Sequence, residues 1–147
     1  MRVDFYQLSR DPVEQVVLLL ASKVLASGEC LVILEGGSER RDRLSRALWE
    51  APGFLAHGDA GADGAERQPI LLAKACTDAN GARVALIADG EWREDVTQYQ
   101  RVLLLFDEAT RQKARALYVK LGQRDEIERH VFKQAAKGGW REVKDRE

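Results

Sequence analysis

Arg111 and Arg115 stand four residues apart, and Tyr118 follows three residues later. On a helix, that spacing brings two guanidinium groups and a phenol onto one face. Guanidinium forks pair with carboxylates through two parallel hydrogen bonds, and an aromatic ring beside them can wall an apolar pocket. The chemistry on offer is reception of an acidic, partly apolar peptide. The same residues also read as an ordinary basic amphipathic helix with Tyr118 half-buried, which requires no ligand.

Other residues invite chemistry less strongly. Gly36 and Gly37 precede a helical segment, where backbone amides can bind phosphate. A phosphate loop needs lysine followed by Ser or Thr, and a dinucleotide turn needs GxGxxG. Neither is present, and Glu35 would repel phosphate, so a plain connecting turn is the simpler reading. Asp89 and Asp107 each follow an apolar run, at the edge where α/β sites form. Two such carboxylates could hold Mg²⁺, although they more often cap the next helix. His57 and His130 belong to no triad signature, and no GxSxG elbow exists. Arg40, Arg41, Arg43 and Arg46 could contact the phosphates of single-stranded DNA, against the default of a solvated helical face. Cys30 and Cys76 lack CxxC or Cys/His metal spacing and read as reduced thiols. These residues lead us to expect no catalytic group, metal or cofactor, with a small nucleotide- or phosphate-binding α/β enzyme as the alternative.

The elements that position the arginines are legible around them. The run 101–107 (RVLLLFD) leaves no polar side for water and predicts a strand buried on both faces. Residues 108–121 predict a helix, with Ala114, Leu117, Tyr118 and Leu121 at three- and four-residue spacing. Upstream, residues 3–8 (VDFYQL) alternate and predict the first strand. Asp11 is expected to cap a helix entered through Pro12, with Glu14 three residues after the cap. Val13, Val16, Val17, Leu20, Ala21, Val24 and Leu25 follow the helical period, and Ser27 with Gly28 ends it. Residues 30–34 (CLVIL) predict a second strand, and strand, helix and strand at this spacing predict a right-handed crossover between parallel strands. Residues 39–50 predict a second helix, stopped by Pro52 and Gly53. Residues 58–68 are rich in Gly, Ala and Asp, with nothing to bury, and read as a mobile loop. Two more apolar runs, 69–73 and 82–88, flank turn-forming residues 78–81 (DANG), which predicts a hairpin. Residues 90–100 read as short helix or loop. Residues 128–134 suit helix or strand, and Gly138 and Gly139 before Trp140 favour a C-terminal hairpin.

A chain of 147 residues suits one domain with a real core, and 45% hydrophobic with 32% charged residues is a globular composition. The net charge of −1 argues against bulk nucleic-acid affinity. Basicity is local instead: residues 109–137 hold eight Lys or Arg against three Asp or Glu. Arg2 and Asp4 interrupt the start, no signal-peptide apolar region follows, and no apolar run approaches a membrane span. A cytoplasmic location is expected.

Several short matches, in order, give a resemblance. The chain opens with Phe5-Tyr6 on a strand. Ser27-Gly28 precedes the apolar strand 31–34. Arg43-Leu44 and Ala47-Leu48-Trp49 end the second helix. Phe54-Leu55-Ala56-His57 follows, and Arg115-Ala116-Leu117-Tyr118 lies on the helix after the last apolar strand. In these features the chain resembles the chi subunit of bacterial DNA polymerase III holoenzyme over nearly its whole length. The resemblance implies one domain over residues 1–147. Its fold would be a three-layer Rossmann-like, mostly parallel sheet with helices on both faces. It implies no intrinsic catalytic activity. The expected role is that of a clamp-loader accessory adaptor in DNA replication, touching DNA only indirectly and no membrane. The implied partner is single-stranded DNA-binding protein, whose acidic tail closes on a phenylalanine with a free carboxylate. Arg111, Arg115, Tyr118, Val119 and Lys120 are the residues implied to receive that tail. The family carries a basic residue directly after the tyrosine, where this chain has Val119, so Lys120 is the expected substitute. The other implied partner is the psi subunit of the clamp loader, with Trp49, Phe54 and Leu55 at its interface.

Overall fold

The apolar runs become strands, and the 3.6-residue patterns between them become helices. The computed structural model describes residues 1–53, 55–135 and 139–143. In chain order the elements are β1 (Arg2–Gln7), α1 (Val13–Ala26), β2 (Leu31–Leu34), α2 (Ser38–Glu50), β3 (Gly58–Asp59), β4 (Ile70–Ala73), β5 (Val84–Ile87), β6 (Arg101–Phe106), α3 (Arg111–Leu121), β7 (Glu128–Gln134) and β8 (Trp140–Val143). Short 3₁₀ turns lie at Ala65–Arg67 and Glu94–Gln98.

The strands form one sheet in the order β3-β4-β2-β5-β6-β1-β7-β8. Every pairing is parallel except β7 with β8, which closes the expected C-terminal hairpin. Side chains alternate across the sheet. On one face Tyr6, Leu31, Ile33, Leu86, Leu103 and Leu105 pack against α1 and α2 through Val17, Leu20, Leu44 and Leu48. On the other, Val3, Phe5, Val32, Ile87, Val102, Leu104 and Phe106 pack under α3 through Ala114 and Leu121, with Val96 and Tyr99 beside them. The α/β architecture with helices on both faces is therefore as expected.

Local geometry shows why the elements stop where they do. Gly28 takes a φ of +89°. Its amide bonds to the Leu25 carbonyl at 3.0 Å and that of Glu29 to Val24 at 3.3 Å, a left-handed helix stop that favours glycine. Asp107 and Thr110 cap each other ahead of α3: the Thr110 amide donates to Asp107 Oδ1 at 3.1 Å and the Asp107 amide to Thr110 Oγ1 at 2.9 Å.

Three expectations require correction. The runs around residues 69–73 and 82–88 form no hairpin. β4 and β5 lie on opposite sides of β2, both parallel to it. Asn80 explains the turn-like sequence: its amide nitrogen donates to the Gln68 carbonyl at 3.0 Å and its side-chain oxygen accepts from the Ala82 amide at 3.2 Å, so it ties down a crossover. Residues 58–68 do bury something. Gly58 and Asp59 pair with Leu71 and Leu72, and Ala65 packs into the core layer under α3. Asp11 makes no cap bond to α1, which begins after Pro12. Its carboxylate instead accepts from the Gln134 side-chain amide at 2.7 Å, and Gln134 Oε1 accepts from the Arg10 amide at 2.9 Å. The last residue of β7 thus holds the loop between β1 and α1.

Candidate functional site

A cleft of about 200 Å³ opens between α3 and the β6, β1 and β7 strands. Its inner wall is apolar, with Phe5, Phe106 and Ala114 buried. Its rim is basic, with Arg111 and Arg115 from α3 on one side and Lys133 from β7 on the other. Tyr118, Gln7 and Val131 complete the lining. The helical spacing that placed Arg111, Arg115 and Tyr118 on one face therefore brings all three to one concave surface.

Tyr118 is fixed in that wall. Its ring meets Phe5 edge-on, with centroids 5.5 Å apart and planes at 74°. The Arg129 guanidinium lies 4.1 Å from the ring centroid, and its Nη1 donates to the Tyr118 carbonyl at 2.8 Å. The rim cations are less engaged. Arg111 reaches exposed Glu108 only at 3.6 Å. The side chains of Arg115 and Lys133 make no ion pair or hydrogen bond among the described residues. Two unengaged cations over an apolar floor can take carboxylates while the floor takes a ring.

Val119 and Lys120 do not line the cleft. Val119 is 59% exposed on the outer side of α3. Lys120 leans the other way, its Nζ 3.8 Å from Glu94 Oε2. Phe5, Phe106 and Lys133 were missed by sequence reasoning, because strands distant in the chain bring them together. The one available signal was the two-residue alternation of 128–134, which sets Val131 and Lys133 on a common side.

The other candidates are held elsewhere. At the carboxyl edge of β2 and β5, the Gly36 amide donates to Asp89 Oδ2 at 2.8 Å and the Gly37 amide to Glu35 Oε2 at 2.9 Å. Glu35 is only 2% exposed and pairs with Arg40 at 2.7 Å. The turn's donors are thus filled by the protein's own carboxylates. Burial works against ionising Asp89, but the Arg93 guanidinium and the amides of Glu91 and Gly36 outweigh it and hold its carboxyl below the usual range. Asp107 is held by Thr110 in the turn ahead of α3, as described. Along α2, Arg41 donates to the Glu35 carbonyl at 2.8 Å and Arg43 pairs with Glu14 at 3.5 Å, so three of the four arginines serve the fold and Arg46 remains exposed. Among the described residues, no cluster of three His, Cys, Asp or Glu is placed to hold a metal ion.

On the opposite face of the sheet, Trp49 at the end of α2 is 52% exposed. Its ring lies against His57, with centroids 4.8 Å apart. His57 is buried and held at both nitrogens: Nδ1 donates to the Leu55 carbonyl at 3.0 Å, which leaves Nε2 to accept from Ser45 Oγ at 2.8 Å. Leu55 packs partly into the α1/α2 layer. Phe54, expected beside them, lies outside the described residues. His130 sits between Glu142 at Nδ1 (2.6 Å) and Glu128 at Nε2 on the C-terminal hairpin. Cys30 and Cys76 are free thiols.

No helix among the described residues is long and apolar enough to cross a membrane. No curated protein matches the sequence. The family described as DNA polymerase III chi subunit, HolC, matches residues 1–128 of the 147. The match takes in β1 through α3 and nearly every residue of the cleft, and by it the chain belongs to the DNA polymerase III chi subunit family.

Proposed function

We propose that this protein is a non-catalytic adaptor in DNA replication that binds the acidic C-terminal tail of single-stranded DNA-binding protein in the cleft beside α3. The observation that carries this reading is the cleft's composition: a floor of Phe5, Phe106 and Tyr118 under a rim of Arg111 and Arg115. The tail's terminal phenylalanine inserts against the aromatic floor, and its aspartates pair with the guanidinium groups. A short peptide of this kind binds with micromolar strength, roughly −8 kcal/mol.

The second surface, Trp49 and Leu55 with Phe54 next in the chain, is proposed to face the psi subunit of the clamp loader. Support comes from an exposed tryptophan whose ring is backed by His57. α2 and α3 cover opposite faces of the sheet, so both partners can be held at once.

Titration of a labelled acidic, phenylalanine-terminated peptide tests the reading. Wild type is expected to bind at micromolar concentration, and Arg115→Ala and Tyr118→Ala are each expected to weaken binding about tenfold or more, the size of a hot-spot contact. Equal affinity for wild type and both variants would remove the site.

A further inference from the structure

Among the described residues, the buried polar or charged ones are Asp4, Glu35 and His57. Asp4 pairs with Arg2 and Arg101, and Glu35 with Arg40, so both carboxylates hold arginines. His57 has a different set of neighbours. Its Nδ1–H donates to the Leu55 carbonyl, two residues back in a stretch without regular structure. Its Nε2 accepts from Ser45 on α2, which fastens that stretch to the helix. Ser45 stands four residues before Trp49, so hydroxyl and indole share one face of α2. A neutral imidazole has one donor and one acceptor, and with both engaged the ring has one orientation. That fixed ring meets the Trp49 indole with centroids 4.8 Å apart and planes at 52°.

We propose that His57, fastened by Ser45, is the positioning residue of the second surface: from beneath, it holds the exposed Trp49 indole and the Leu55 backbone in the arrangement that the partner meets. This assignment rests on the reading of that surface given above. Trp49 is 52% exposed, so its own packing restrains only part of it. An aromatic side chain that is ordered beforehand contributes its contact area without the cost of being fixed on binding. Ser45 isolates this effect. Alanine is the stronger helix former, so Ser45→Ala removes the anchor while leaving α2 intact.

The test follows Trp49 and partner binding separately, on the full chain. The indole N–H signals of Trp49, Trp92 and Trp140 are recorded by NMR, with Trp49→Phe identifying the first, and each variant is titrated with purified psi subunit. His57→Gln and Ser45→Ala are both expected to move the Trp49 signal toward its position in the unfolded chain and to leave the other two in place. Ser45→Ala is expected to bind about three- to tenfold more weakly, the cost of fixing one freed side chain, at an unchanged melting temperature. Ser45→Thr restores the hydroxyl and is expected to regain wild-type binding. Ser45→Ala combined with Trp49→Ala should bind little more weakly than Trp49→Ala alone, because the anchor acts through the indole. An unmoved Trp49 signal in both variants, or wild-type affinity in Ser45→Ala, overturns the assignment while the surface reading stands. Failure of wild type to bind psi, or undiminished binding by Trp49→Ala, removes the surface reading and the assignment with it.

Discussion

Tyr118 depends on a residue that never enters the cleft. Arg129 covers its ring at 4.1 Å and donates to its carbonyl. Arg129→Ala is expected to destabilise the fold by about 1 kcal/mol and to weaken peptide binding by freeing the tyrosine, measurable by denaturation and titration together. Unchanged binding would show that Arg129 does not position the ring. Cys76 yields a separate prediction. Burial, joined by a hydrogen bond to Asp95, pushes its thiol up to about 11, so it stays protonated at neutral pH. Alkylation of Cys76 should therefore be slower than that of a free peptide thiol, as followed by mass spectrometry of the labelled peptide. At this scale the sequence was legible where chemistry is local. Arg111, Arg115 and Tyr118 follow from a helical period. Lys133 and Phe106 do not, because only the sheet joins them to that helix. Asp11 misled because a capping residue has the same sequence signature whether its partner is an amide of its own helix or, as here, Gln134.

The C-terminal hairpin is the element whose stability should respond to pH. His130 lies between Glu142 and Glu128, and hydrogen bonds to these two carboxylates raise its pKa above the ordinary histidine value. The same contact lowers the pKa of Glu128. A raised histidine pKa gives stability that is complete below the unfolded value and lost as pH rises through the folded one. A depressed carboxyl pKa gives stability present above its unfolded value and lost as pH falls through the folded one. The difference in melting temperature between wild type and His130→Gln should thus be largest between roughly pH 4.5 and 6.5 and shrink on the alkaline side. A difference that does not vary with pH would contradict the ion-pair origin. Element types were readable from β1 to α3, because apolar runs and the helical period are strong local signals. Pairing was not. β4 and β5 are buried on both faces, so neither carries an alternation that names its neighbour, and the DANG residues that suggested a hairpin serve a crossover through Asn80.

For the whole molecule, a net charge of −1 with basicity concentrated after residue 109 predicts affinity for an acidic peptide, with little for nucleic acid in bulk. Peptide binding should weaken steadily with added salt, since the rim arginines are exposed and screening acts within about 10 Å at 0.1 M. Salt-independent titrations would shift the main contribution to the aromatic floor. Nucleotides should leave the melting temperature unchanged, because the Gly36–Gly37 amides are already bonded to carboxylates. A ligand at 100 times its dissociation constant would otherwise add about 2.7 kcal/mol. The most direct measurement is an NMR titration of the full chain with the acidic, phenylalanine-terminated peptide, following each backbone amide. The account predicts shifts gathered on residues 5–7, 106, 111–118 and 131–133, absent when the terminal phenylalanine is removed. Shifts gathered instead on residues 36–38 and 89, or along α2, would contradict it.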